Sequence, residues 1–141
     1  MMMSAKKRFV RVAVLVGVLF AGVAAIAAQP ASQTASEFYM SYRAAFAKAK
    51  AIEEMLPLMS KEMKAQVEKT PAAERPKMFE FVQQMSNGMT NVKVVKETKT
   101  DAGATLTVEA LDGKDKMQGQ IQVVKEGTAW KMGKESWSSK S

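Results

Sequence analysis

In the stretch EEMLPLMSKEM, Met55, Met59 and Met63 recur at four-residue intervals. Thioethers are soft ligands that select Cu(I). The chain has no cysteine and no histidine, so methionine is the one soft donor it can offer. On one unbroken helix the three sulfurs would line a single face. Pro57 falls between the first two and interrupts the helix. The methionines also coincide with apolar stripes: Met55 beside Ile52 and Leu56, Met59 and Met63 on the face of Val67, Met78 and Met85 around Val82. Methionine is an adaptable core filler. The spacing therefore reads first as core that lines a pocket. No metal is favoured, with Cu(I) at Met55, Met59 and Met63 as the alternative.

Other chemistry is thinner still. Without histidine the usual near-neutral acid–base group is missing, and without cysteine there is no thiolate. Asp101, Asp112 and Asp115 fall in expected turns, and no aspartate precedes them. Glu53, Glu54, Glu62, Glu68, Glu74 and Glu80 read as helix surface, Glu80 being the one worth locating. Tyr39 and Tyr42 can face inward. The serines of WSSKS belong to an expected frayed tail. No nucleophile, base and orienter come together, no glycine loop cradles phosphate, and no Asp/Asn cluster has hard-metal spacing. The expectation is no catalytic residue, no cofactor and a non-enzymatic binding role.

The elements that must position these residues follow a leader. Residues 1–28 combine Lys6, Lys7, Arg8 and Arg11 with an apolar run from Val12 to Ala28 and an Ala25-Ile26-Ala27 finish. That is the pattern of a secretory signal peptide. Five of the last eight residues of the run are alanine, which suits cleavage better than anchoring. The expected location is exported, periplasmic or extracellular, with no membrane association after cleavage. A disordered linker at 29–35, a domain at 36–137 and a disordered tail at 138–141 complete the division. The formal charge of +7 misleads, because four of the 21 bases and none of the 14 acids lie in the leader. The remainder is nearly balanced and has no basic cluster with interleaved aromatics, so nucleic acid is not an expected partner.

Composition shifts once, near Asn87-Gly88, from Ala, Met, Glu and Lys to alternating Val, Thr and Gly. Thr34-x-x-Glu37 is a capping box. Phe38, Tyr42, Ala45, Ala49, Ile52 and Leu56 trace one helical face from it. Pro57 starts a second helix to about Lys69, and Pro76 places the third near Arg75. Gly88 is expected to end the third in the left-handed conformation. Four strands follow. Val92 and Val94 oppose Lys93, Val95 and Glu97. Ala104, Leu106, Val108 and Ala110 oppose Thr105, Thr107 and Glu109. Met117, Gly119, Ile121 and Val123 oppose three glutamines. Trp130 and Met132 oppose Lys131 and Glu135, with turns at Asp112-Gly113 and Glu126-Gly127. The expected fold is α+β: N-terminal helices packed on a four-stranded antiparallel meander sheet.

A leader, helices ending in an amphipathic one, then a curved sheet closing on GTAWKMGKESW resemble small exported members of the nuclear transport factor 2-like superfamily. The resemblance runs from about Ser36 to Trp137. It implies a cone-like fold with a pocket between sheet and helices, and a range of functions from isomerases to assembly modules, so it does not select one. Tyr39, Tyr42, Met59, Met63 and Trp130 are the candidate pocket wall, with a small apolar ligand or peptide as the expected partner. The alternative is a protein-interaction or assembly module, a homodimer pairing through its sheet.

Overall fold

The computed structural model describes residues Gln33–Lys140. The expected signal peptide at 1–28, residues 29–32 of the linker and Ser141 lie outside the described residues.

Helix α1 (Ala35–Lys48) begins where the capping box puts it, and Thr34 Oγ1 accepts from Glu37 N at 3.1 Å. It stops well before Leu56, where the periodicity carries it. The cause is tertiary. Gln83 Nε2, from helix α3 (Arg75–Gly88), donates to the carbonyls of Phe46 at 3.0 Å and Ala49 at 2.9 Å. These acceptors would otherwise need the amides of a following turn. The Glu54 carboxylate accepts from the Lys50 and Ala51 amides and bends the chain. Two 3₁₀ turns result, Ile52–Glu54 and Leu56–Leu58, so Pro57 sits in a turn rather than opening a helix. Helix α2 (Lys61–Glu68) starts after Ser60, whose Oγ accepts from Met63 N at 3.2 Å.

Gly88 is not left-handed as expected: α3 runs straight into strand β1 (Met89–Lys99). Among the described residues the non-glycine one at positive φ is Asn91, at 52°, beside an irregularity in β1. Strands β2 (Gly103–Asp112), β3 (Asp115–Glu126) and β4 (Ala129–Ser139) complete an antiparallel sheet in the order β1-β2-β3-β4. Gly113 and Gly127 supply positive φ in the two tight hairpins. The α+β meander expected from the sequence is the fold observed.

Both ends of the domain reach further than expected. The Trp130 indole donates to Gln33 O at 2.9 Å, so the last part of the supposed linker is tied down. Lys140 N donates to Lys116 O at 2.8 Å and its ammonium pairs with Glu109, so residues 138–140 are not a frayed tail. The outer edge of β4 is partly covered. Met59 bridges Met132 in parallel and Ser60 N donates to Met132 O at 2.9 Å.

The core forms between α1 and the apolar face of the sheet. Leu106, Val108, Ile121, Val123 and Met132 are completely buried, under Phe38, Tyr39, Tyr42 and Phe46 of α1. An aromatic row continues from Tyr42 to Phe46 at 6.0 Å between centroids and on to Phe79 of α3 at 5.1 Å. Burying each such side chain contributes roughly 1.5–3 kcal/mol. Among the described residues no helix is long and apolar enough to cross a membrane.

Candidate functional site

Strict alternation from Met132 sends Glu135 to the wet face of β4. The strand does not alternate strictly. Met132 pairs with Val123 but Lys134 pairs with Gln122, which leaves Gly133 as an extra residue. One inserted residue reverses the facing of everything after it. Glu135 is therefore paired with Ile121 and Trp137 with Gly119, on the same face as Leu106 and Val108. Strand β1 does the same: Val95 is the extra residue, and Glu97 pairs with Leu106. Glu97 then reaches α1, where Ser36 N and Oγ donate to its Oε1 at 2.9 and 2.6 Å.

The inward Glu135 has a specific holder. Trp137 Nε1 donates to Glu135 Oε1 at 2.9 Å. The indole lies across Gly119 so closely that a Cβ there would meet three ring carbons at 3.0 Å. Glycine is what lets the ring lie flat on the sheet. The other carboxylate oxygen accepts from no described group and is not sealed from solvent. Burial raises the Glu135 pKa above its ordinary value, and the Trp137 hydrogen bond and the charge of Arg43 offset this in part.

Three groups from α1 surround this acid. Tyr39 is fully buried, and Arg43 Nη1 donates to its hydroxyl at 3.4 Å. Arg43 Nη2 donates to Ser86 O at 3.2 Å, fastening α1 to the last turn of α3. Burial, and then the negative charge of Glu135, push both the Tyr39 and Tyr42 phenols far above their ordinary pKa, so both stay protonated. The Tyr42 hydroxyl bonds to no described residue and, like the open oxygen of Glu135, is not sealed from solvent.

These groups end a cavity of about 320 Å³. Its apolar wall is built from Phe46 on α1, Met63 and Val67 on α2, and Met78, Phe79 and Val82 on α3, with Ile52 and Met59 from the segment between. The polar end holds Tyr42, Arg43, Ser86 and Glu135. Two lining residues are exposed, Gln66 on α2 and Val82 at 42 %, which places the mouth between α2 and α3. Such a space, mostly apolar with a few convergent polar groups, is suited to holding an apolar body and orienting one polar head.

Of the expected pocket wall, Tyr42, Met59 and Met63 line the cavity. Tyr39 lies behind it, in contact through Arg43 rather than directly. Trp130 is elsewhere, bonded to Gln33 O with Lys125 Nζ 4.4 Å from its ring centroid. Met55 is buried in the core and does not join Met59 and Met63; Met78 lines the cavity with them. Glu80 is exposed. No group of three or more His, Cys, Asp or Glu side chains able to hold a metal ion occurs among the described residues. Sequence reasoning missed Glu135, Arg43 and the role of Trp137. The available signal was Gly133 inside an otherwise regular strand, which marks a bulge.

A family model described as a domain of unknown function (DUF4878) matches residues 27–133, which take in the described helices, β1 to β3 and the start of β4. No curated protein and no solved structure matches the chain.

Proposed function

The chain belongs to this family of domains of unknown function, and we propose that it acts as an exported, non-enzymatic module that binds an apolar small molecule between its helices and its sheet. The observation that carries the proposal is the cavity of about 320 Å³, lined by aromatic and methionine side chains and open between α2 and α3. Methionines suit such a site because they repack around varied shapes. The basic, apolar and alanine-rich leader supports export. The helix-on-meander order supports placing the domain with the nuclear transport factor 2-like folds. A binding role agrees better than catalysis with the side chains present: the cavity has one carboxylate and no histidine or thiol.

Self-association through the sheet has less support. The open edge is β1, which carries Lys93, Lys96 and Lys99 and two irregularities of register. Lysines and bulges oppose edge-to-edge pairing.

The test is titration of the mature chain with the uncharged fluorophore N-phenylnaphthylamine. Saturable one-to-one binding is expected, blocked by Val82→Trp at the mouth and unaffected by Phe81→Trp, which is exposed on the same helix outside the lining. Absence of saturable binding, or binding indifferent to Val82→Trp, rejects the proposal.

A further inference from the structure

We infer that the ligand carries an uncharged head with one hydrogen-bond donor and one acceptor, a carboxamide being the simplest, seated between Glu135 and Arg43. The inference rests on the cavity-binding function proposed above and adds the chemical class of the ligand.

The apolar wall can hold a hydrocarbon body in many poses, so orientation falls to the polar end. That end contains one cation and one anion, Arg43 and Glu135. They do not pair with each other, since the only ion pair among the described residues joins Lys140 to Glu109. An ammonium head brought to Glu135 would meet the like charge of Arg43. A carboxylate head brought to Arg43 would meet Glu135. A neutral head avoids both oppositions.

The hydrogen-bond inventory asks for the same thing. Glu135 has one oxygen held by Trp137 and one that accepts from no described residue at the cavity's polar end, where a ligand donor can reach it. Arg43 uses two N–H groups, on Tyr39 and on Ser86, from the five a guanidinium carries. The Tyr42 hydroxyl has no described partner. These two call for an acceptor. A carboxamide presents N–H and C=O side by side, and so answers both sides of the site in one rigid group. Buried polar groups reject heads that leave them unpaired far more strongly than apolar walls reject small differences of shape.

Calorimetric titration of the mature protein with octanamide, octanoate, octylamine and octane separates the outcomes. Octanamide is expected to bind tightest, by about tenfold over each of the other three. In Glu135→Gln the open acceptor becomes a donor while Trp137 keeps its acceptor. That variant is expected to lose the preference for the amide, its octanamide-to-octane affinity ratio falling about tenfold. Tightest binding by octylamine or octanoate overturns the inference, and so does equal affinity for all four, while the cavity-binding function survives. If none of the four binds, octane included, that function falls and the inference falls with it.

Discussion

The indole of Trp137 holds the carboxylate of Glu135 from two residues further along the same strand, Nε1 to Oε1 at 2.9 Å. Residues two apart on a strand share a face, so the pair stands side by side on the helix-covered side of the sheet. The ring in turn rests on Gly119 of the neighbouring strand. The one carboxylate lining the cavity is thus positioned by a side chain that is itself fixed by the absence of another.

Trp137→Phe keeps an aromatic ring over Gly119 and removes the donor. The Trp137 hydrogen bond is the main influence lowering the Glu135 pKa against burial, so its loss is expected to raise that pKa further. A carbon-13 titration of the side-chain carboxyl reads the change directly. The stability cost at neutral pH is expected at about 1.5–3 kcal/mol, the range for a hydrogen bond to a charged group, and less once Glu135 is protonated. An unmoved titration would show that the indole does not hold the acid.

Glu135→Gln is expected to stabilise the unliganded protein at neutral pH. A carboxyl whose folded pKa is raised binds its proton more readily folded than unfolded. Stability then falls as pH rises from the unfolded value through the folded one, and the full penalty remains above both. Glutamine has no charge to bury and retains the acceptor for Trp137. Urea midpoints should favour the variant at pH 7 and converge below the ordinary carboxyl value of 4.5. A variant less stable than the native chain at pH 7 would mean that the ionised acid is stabilising, contrary to its environment.

The fold was legible because its signals are local and repeated. β2 alternates without fault, and Leu106 and Val108 are buried where the two-residue period puts them. Thr34 caps α1 as its spacing with Glu37 predicts. The errors lie where a distant group decides. Gln83 is far from Ala49 in sequence, and no pattern near Lys48 announces that its amide will end α1 there. The polar end of the site was illegible for a related reason. Alternation sorts residues correctly only up to the first inserted one, and β1 and β4 each carry an insertion ahead of an acid. Strict alternation sends Glu97 and Glu135 outward for that reason, and both face the helices. The methionine wall was legible in part: Met59 and Met63 were found, and Met78 joins them only through the packing of α3 beside α2.

Gly119→Ala tests the support under the indole. The new Cβ would stand 3.0 Å from three carbons of the Trp137 ring, which is flat and has no flexible end to yield. The ring or the strand beneath it must give by a few tenths of an ångström. Overpacking of this kind costs about 1–3 kcal/mol. Thermal unfolding should show the loss, and in a Trp130→Phe background the emission of Trp137 should shift as its contact with the strand changes. A variant as stable as the native chain would mean that the ring is free to move aside.

Replacing Met59 and Met63 with leucine separates packing from metal binding. Leucine nearly conserves the volume of methionine and removes the sulfur, so each change is expected to cost less than about 1.5 kcal/mol. The fluorophore should bind the double variant much as it binds the native chain, because the wall remains apolar. Cu(I) uptake is expected to be weak in both proteins, measured by competition with a colorimetric chelator. The third sulfur of the sequence trio, Met55, does not line the cavity. The third methionine that lines it beside Met59 and Met63 is Met78, whose Sδ already accepts from Thr70 Oγ1 at 3.4 Å. Tight uptake by the native chain that disappears in the double variant would reverse the assignment. It would make the thioethers ligands, and the apolar wall their setting.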